Sequence, residues 1–470
     1  MIDLQHLEQY HENNRIEAKK ALGGLPHSIW ETYSAFANTL GGIILLGVEE
    51  YRDKSLHPVD LPDPERLVRE FWDKVNDPCM ANVNILLHQD VRIETVEGKR
   101  IIVISVPRAQ RFDRPVYVEG TPRNCYRRNG EGDYRCTEDE IRAMYRDASV
   151  KTQDMLVLTA LGLDVFCEAS LQRYRAQLLQ NRPGHVWGSL DGEELLYSLG
   201  AIGRSADGGL HPTAAGLLMF GTKDAIQREY PAYSLEYRED LPGQAPYRLL
   251  SAAENWSGNI YDFFSRVYRR LTKGYRAPVR NVLREALANC LVNADYYGQN
   301  GVTVAKTADG ITFSNPGSFR VELRAARFGG VSDPRNGTLL KLFHMIDFGK
   351  QSGSGIPRII QGCRDLGWAE PQILQSFSPD RITLSLRFSP GHTGESETAS
   401  HARTVSTTKP VKQQLIIDYL TDHVCAKTAE LAAYLSLTPS TTRACLAEMV
   451  RAGILVAEGE NRSRSYRLKA

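Results

Sequence analysis

The chain has no membrane signature: none of its 470 residues falls in an uninterrupted apolar run of the roughly 18 residues needed to span a bilayer. Its opening, Met1-Ile2-Asp3-Leu4-Gln5-His6, lacks the pattern of a secretory leader, so the protein is expected to stay in the cytoplasm and to have no membrane partner. It also lacks an excess of one charge, with 57 Lys+Arg against 56 Asp+Glu. That excludes a protein that coats nucleic acid by bulk charge; any such binding must use local patches. The eight cysteines form no C-x-x-C pair and no Cys/His grouping at zinc spacing, which predicts reduced, mostly buried thiols. No G-x-x-x-x-G-K-[ST] string exists, so a P-loop is absent.

What is present is an ordinary globular composition, 42% apolar, on a chain long enough for about two to four domains. Helical and strand patterns alternate, which predicts an α+β multidomain protein. A short helix is expected over 1–15 and an amphipathic helix over 28–40, with Ser28 and Glu31 at capping-box spacing. Gly41-Gly42 stops that helix, and 43–48 follows as a fully apolar strand. A helix over 63–77, strands over 83–95 and 99–107, and a Thr137/Glu140 capping box that opens a helix complete a first domain, 1–148. Residues 149–256 read as a less regular connecting domain, with helices at 154–181, 190–199 and 212–219 and a strand at 233–237. Region 257–388 carries two long helices, strands at 302–306 and 310–314, and two later helix starts. Residues 389–410, rich in Ser, Thr, Gly and Glu, have the composition of a linker. Residues 411–470 read as three short helices and a hairpin, the plan of a winged helix-turn-helix.

Three groups of residues carry chemistry. Glu12, Glu17 and Lys19 precede the apolar strand, and Glu49-Glu50 end it. Converging carboxylates beside a lysine suit a hard divalent cation; the plain alternative is surface charge paired with Arg15, Lys19 and Lys20. Arg108, Arg111, Arg114, Arg123, Arg127 and Arg128, with Tyr126 among them, read as a nucleic-acid face, because arginine binds phosphate bidentately and tyrosine stacks on bases. The alternative is a hairpin whose tyrosines are core. Glu285 and Asn289 share one helix face, and Gly353-Ser354-Gly355 opens a helix whose free N–H groups suit phosphate. In the last domain Pro439 starts a helix whose Ser440, Thr441 and Arg443 suit a major groove. Arg462, Arg464 and Arg467 on the wing suit a phosphate backbone; protein docking is the alternative there.

The first domain resembles the Schlafen-type AlbA_2 domain, an α/β domain, through Glu12-(x4)-Glu17-x-Lys19, Ser34-Ala-Phe-Ala-Asn-Thr-x-Gly-Gly42, Gly47-Val-Glu-Glu50 and Tyr126-Arg127-Arg128. Region 257–388 resembles a divergent GHKL-type (histidine-kinase-like) ATPase, an α/β sandwich, through Arg284-Glu-Ala-Leu-x-Asn289, Asp295-Tyr296, Asn315-Pro-Gly317, Arg335-Asn336 and Gly353-Ser-Gly-Ile356. The first resemblance implies a metal-dependent endoribonuclease acting on tRNA-like RNA in stress or phage defence. Glu12, Glu17 and Glu50 would be its Mg²⁺ or Mn²⁺ ligands, with Lys19 beside them. The family more often has Asp where Glu50 stands. The second resemblance implies an ATP site at Glu285, Asn289, Asn315, Gly317, Gly353 and Gly355, with Glu285 as general base and Asn289 as magnesium ligand. Here Asn315 replaces the aspartate that reads adenine, and Asn293 replaces a histidine. Vertebrate Schlafens close a clamp from two copies of the domain; one copy here implies a homodimer. The competing expectation is a nucleotide-responsive, DNA-binding transcriptional regulator that cuts nothing.

Overall fold

The computed structural model describes residues 4–347, 354–377 and 379–388, and in the C-terminal part residues 416, 420, 426–428, 431–432, 439–451, 454–458 and 465–468. The first domain opens with a 3₁₀ turn at Leu4–Gln9 and then a strand, β1 (Ile16–Lys19), that the charged sequence did not announce. Helix α1 (Ile29–Asn38), β2 (Gly42–Leu46), β3 (Val48–Glu50), β4 (Leu56–Pro58), α2 (Pro64–Val75), β5 (Val91–Val96) and β6 (Lys99–Val106) follow. Its sheet runs β1-β2-β6-β5, with β1 parallel to β2 and the other pairs antiparallel. The apolar run of β2 is buried on both sides. Ile44 and Leu46 join Trp30, Tyr33 and Phe36 of α1 in one core, and Leu45 joins Leu7, Ile16 and Leu56 in another.

The expected strand 43–48 divides at Gly47, whose φ is +82°. A Cβ there would stand 2.8 Å from the Leu61 side chain, so only glycine makes the bend. Past it, Val48–Glu50 leaves the sheet and pairs with β4 as a separate hairpin. The capping box at Ser28 does not form: Ser28 makes no side-chain cap bond, and Glu31 instead accepts from the Tyr126 hydroxyl at 3.0 Å. Residues 83–87 are irregular rather than strand, with the Asn84 side chain taking the Leu86 N–H. The Thr137/Glu140 capping box does form. Hairpin β7 (Tyr126–Asn129)–β8 (Gly132–Arg135) and α3 (Glu138–Ala148) close the domain.

The expected helix over 154–181 is broken. Turns at Gln153–Met155 and Leu163–Val165 precede α4 (Glu168–Asn181). After α5 (Gly192–Leu199) comes a small hairpin, β9 (Ile202–Arg204) and β10 (Leu210–Pro212), then α6 (Ala214–Phe220) and α7 (Lys223–Glu229). Strands β11 (Leu235–Asp240) and β12 (Tyr247–Leu250) lead into α8 (Ile260–Leu271), α9 (Ala277–Val292), β13 (Val302–Thr307), β14 (Gly310–Pro316), α10 (Leu323–Phe328), α11 (Gly337–Met345), α12 (Gly355–Asp365), β15 (Gln372–Ser376) and β16 (Arg381–Arg387).

Six of these strands form one sheet in the order β12-β11-β13-β14-β16-β15, with β11 parallel to β13. The expected boundary at 256/257 therefore cuts a single unit. Strands β11 and β12 precede it yet belong to this sheet, and one apolar core runs from Leu158 to Leu386. Helices pack best where they bury an apolar stripe, and α9 buries most of its length against α8, α12 and β14. In the C-terminal part β17 (Ala426–Lys427), α13 (Pro439–Arg451), β18 (Leu455–Glu458) and β19 (Ser465–Leu468) are described, with sheet order β17-β19-β18. The linker 389–410, Gly353, Arg462 and Arg464 lie outside the described residues, as do the side chains of Ser440 and Thr441.

Candidate functional site

The acidic residues meet at the free edge of β1. Glu12 folds back so that its carboxylate accepts the outward N–H of Ala18 at 3.0 Å. Glu17 is held from both sides, by Lys19 at 2.8 Å and by Arg128 at 2.8 Å. Arg128 also reaches Asp133 at 3.0 Å and the carbonyls of Asn13 and Ile16, so both guanidinium ends are engaged. Glu50 arrives on the β3–β4 hairpin. One of its oxygens faces Lys54 at 3.4 Å, and the other, Oε1, is buried with no hydrogen-bond partner among the described residues. Burial raises the Glu12 pKa above the ordinary carboxylate value, and the charges of Glu17 and Glu50 raise it further; Ala18 N–H and Arg128 act the other way. Glu49, next to it in the chain, pairs instead with Lys20.

Among the described residues no group of three or more His, Cys, Asp or Glu side chains could hold a metal ion. The expected triad is thereby narrowed. Both oxygens of Glu17 are already neutralised, so Glu17 and Lys19 support the site and are poor candidates to ligate. Glu12 and Glu50 keep spare acceptor capacity. Two carboxylates are a sufficient protein share for Mg²⁺, which keeps waters and takes substrate phosphate oxygens for its remaining positions. The donor set fits that ion on these terms.

The arginine face is a correction. Arg111, Arg114, Arg127, Arg128 and Tyr126 are all buried, none more than 7% exposed. Burial also pushes the Arg108 and Arg114 guanidinium pKa values down. Apart from Arg128, the arginines with partners tie the first domain to the six-stranded unit. Arg127 makes a bidentate pair with Asp380 at 2.7 and 2.9 Å, and Arg108 donates to the Phe319 carbonyl at 2.9 Å and Gln375 at 3.0 Å. Arg111 pairs with Asp333, Arg146 with Asp295, and Asp147 with Arg335. Alternating arginine and aromatic residues look alike in a sequence whether they meet phosphate or another domain. Only Arg123 of the predicted set is exposed. The solvent-facing cations near the acidic edge are instead Arg15, Lys20, Arg52, Lys54 and Arg135. Lys54 also joins the two flanking hairpins through Glu131 at 3.0 Å.

The nucleotide candidates gather around a cavity of about 160 Å³. Glu285, Asn289, Asn315 and Gly355 line it, with an apolar wall that includes Phe313, Ile359 and Leu384. Asn289 donates to Glu285 at 3.3 Å across one turn of α9. A Cβ at Gly355 would meet the Asn289 amide nitrogen at 2.5 Å, so a larger residue there would push Asn289 and Glu285 aside. Burial raises the Glu285 pKa, with Arg358, Arg284 and Asn289 opposing. Asn315 is buried and its amide donates to the Pro316 carbonyl at 3.2 Å. Gly317, at φ +101°, lies under the Arg335 guanidinium. Three further charged groups line the cavity, Arg320, Asp333 and Arg335. Arg335 stood in a recognisable Arg-Asn pair; nothing local marked the other two. In the last domain Arg443 is exposed on α13.

Fold and sites together define a mixed α and β multidomain protein with an acidic strand edge in one domain and a polar-ended cavity in the next. Residues 12–137 match the family Schlafen, AlbA_2; residues 299–386 match the family described as putative ATP-dependent DNA helicase recG C-terminal, HATPase_c_4; residues 142–236 match a domain of unknown function, DUF8451. The chain thus carries a Schlafen AlbA_2 domain followed by a HATPase_c_4 domain. It aligns with the crystal structure of the DIP2311 protein from Corynebacterium diphtheriae over 97% of its length and 95% of that chain, at 17% identity and a TM-score of 0.39. It aligns with the N-terminal domain of a putative ATP-dependent DNA helicase RecG-related protein from Nitrosomonas europaea over 29% of its length and 95% of that chain, at 34% identity and a TM-score of 0.23. No curated protein matches it. No described helix is long and apolar enough to cross a membrane.

Proposed function

We propose that this is a nucleic-acid-binding protein whose Schlafen AlbA_2 domain cleaves structured, tRNA-like RNA at its acidic edge, in stress or phage defence, with a nucleotide bound in the neighbouring domain. The observation that carries the reading is the imbalance of charge at β1. Glu12 is driven towards its protonated form by burial and by Glu17 and Glu50, and Glu50 Oε1 has no partner. A buried acceptor without a donor is costly, which favours a cation there. Mg²⁺ or Mn²⁺ held by Glu12 and Glu50 would supply charge neutralisation at the scissile phosphate and an activated nucleophile. Glu17 positions the strand through Lys19 and Arg128, while Lys20, Arg52 and Lys54 meet the flanking phosphates. The single copy of the domain supports a homodimer as the unit that encloses RNA; a stable monomer in sedimentation would remove that part.

The test is cleavage of total RNA by purified protein with Mn²⁺, compared with Glu50→Gln, which keeps the fold because Glu50 makes only one exposed pair. Cleavage by wild type alone supports the reading; equal cleavage by both, or none by either, ends it. A second reading is a DNA-binding regulator without cleavage. Helix α13 followed by the β18–β19 hairpin, with Arg443 exposed, has the order of a winged helix and favours it. Retarded migration of promoter DNA, altered by ATP, with intact RNA would select this alternative.

A further inference from the structure

The charges inside the cavity are arranged differently from those at the acidic edge. The Arg320 side chain is 5% exposed and lines the cavity. Its Nη1 donates to the carbonyls of Pro334 at 3.2 Å and Arg335 at 3.4 Å. Its Nε has no hydrogen-bond partner among the described residues. Nη2 lies 3.2 Å from Asp333, an ion pair without hydrogen-bond geometry. Idle buried Nε atoms recur at several arginines, Arg127 and Arg146 among them, but among the described residues Arg320 alone adds an idle Nη2, and it does so on a side chain that lines the cavity. Two unused donors on one buried guanidinium mark a place for an acceptor or an anion.

Asp333 is shared. Its other oxygen takes Arg111, a residue of the first domain, whose Nη1 donates to the Asp147 carbonyl at 2.7 Å and the Ser149 carbonyl at 2.8 Å. One carboxylate therefore stands between two cations, one belonging to the cavity and one to the neighbouring domain. Burial opposes the cationic form of Arg320, Asp333 and then Asp147 support it, and the like charges of Arg111 and Arg335 oppose it.

We infer that Arg320 is the anion-binding residue of the cavity, that it takes the phosphate of a nucleotide, and that Asp333 couples this binding to docking of the first domain through Arg111. The inference rests on the nucleotide reading given above. Its sign follows from the shared carboxylate. When an anion occupies Arg320, repulsion between the two arginines falls and Asp333 turns fully to Arg111, so the dock tightens. When Arg111 is missing, Asp333 is left to hold Arg320 and to repel the anion, so the ligand weakens. By linkage these are one free energy seen from two ends. The coupling gives the cavity a way to report its occupancy to the acidic edge, because the docked segment 108–128 continues into Arg128, which holds Glu17.

Calorimetric titration of the full chain with ATP in Mg²⁺ buffer tests this, with thermal melts to check folding. Arg320→Gln is expected to weaken ATP by at least about tenfold, and Arg111→Gln by about fivefold or more. In an Asp333→Asn background the effect of Arg111→Gln should shrink, which a merely structural role for Arg111 would not produce. ATP should also slow hydrogen exchange across 108–128 in the wild type. No binding by the wild type would overturn the nucleotide reading and this inference with it. Binding that Arg320→Gln leaves unchanged would overturn the assignment of Arg320 alone. An Arg111→Gln effect of equal size in both backgrounds, or hydrogen exchange indifferent to ATP, would overturn the coupling alone.

Discussion

The acidic edge and the cavity leave opposite kinds of atom unpaired. At β1 it is an acceptor, Glu50 Oε1; in the cavity it is a donor, Arg320 Nε. Both regions are otherwise well satisfied, since Glu17 sits between Lys19 and Arg128 and Arg335 sits between Asp147 and the Ser318 carbonyl. The comparison separates two uses of buried charge. Charges whose ionic partners are in place hold the architecture together, even where one Nε stays idle, as at Arg127 and Arg146. A carboxylate oxygen with no donor, or a guanidinium with both Nε and an Nη idle, indicates the sign of what is to be bound, a cation at the edge and an anion in the cavity.

The largest effect should come from breaking a complete pair. Arg335→Ala leaves the buried Asp147 carboxylate without its direct partner, and is expected to lower unfolding stability by about 3–5 kcal/mol in a urea titration. Arg142→Ala, at a pair two-thirds exposed, should change it by less than about 1 kcal/mol. Equal losses would erase the distinction between architectural and solvated charge. Next in size is metal affinity. Glu50→Gln should weaken Mn²⁺ binding by about tenfold or more in a calorimetric titration, with a cooperative melt retained. A variant that binds Mn²⁺ as the wild type does would remove Glu50 from the site.

Nucleic-acid binding sharpens the comparison between the two sets of arginines. Neutralising Lys54 or Arg52 should reduce the slope of log affinity against log salt by about one each. Arg127→Ala should leave the slope unchanged while loosening the domain contact. If Arg127 changed the slope and the lysine did not, the buried face would be the binding face after all. The smallest effect concerns Glu12. Its folded pKa is raised, so its contribution to stability is present below the ordinary glutamate range and is lost as pH rises through the folded value. Glu12→Gln removes the penalised anion but keeps an acceptor for Ala18 N–H. It should raise the melting midpoint by about 1–2 °C at pH 7 and by nothing near pH 4. A rise that is the same at both pH values would show that charge is not the cause.

Much of the fold was legible because local physics decides it. The capping box at Thr137 and the helices around Glu285 and after Ser354 each appear where their residues predict, and the apolar strand expected over 43–48 forms as far as Leu46. The misreadings share a cause. Strand β1 is written Ile-Glu-Ala-Lys and becomes a strand only because β2 lies beside it. Strand β11 was assigned to the wrong unit because its partner β13 lies far along the chain, and β12, which pairs with β11, was not expected at all. The buried arginines carried the same signal as exposed ones, since composition does not record what covers a surface.

The sequence by itself determined the two domain types and the neighbours Glu285 and Asn289 on one helix face. These depend on residue identity and short spacing, which are fixed before the chain folds. The tertiary structure alone decided that Glu17 is already neutralised while Glu50 is not, that Arg108, Arg111 and Arg127 join domains, and that Asp333 lies between two arginines. Each of those outcomes depends on which distant group arrives within about 3 Å to satisfy a charge, and distance in space is what a linear order of residues leaves open.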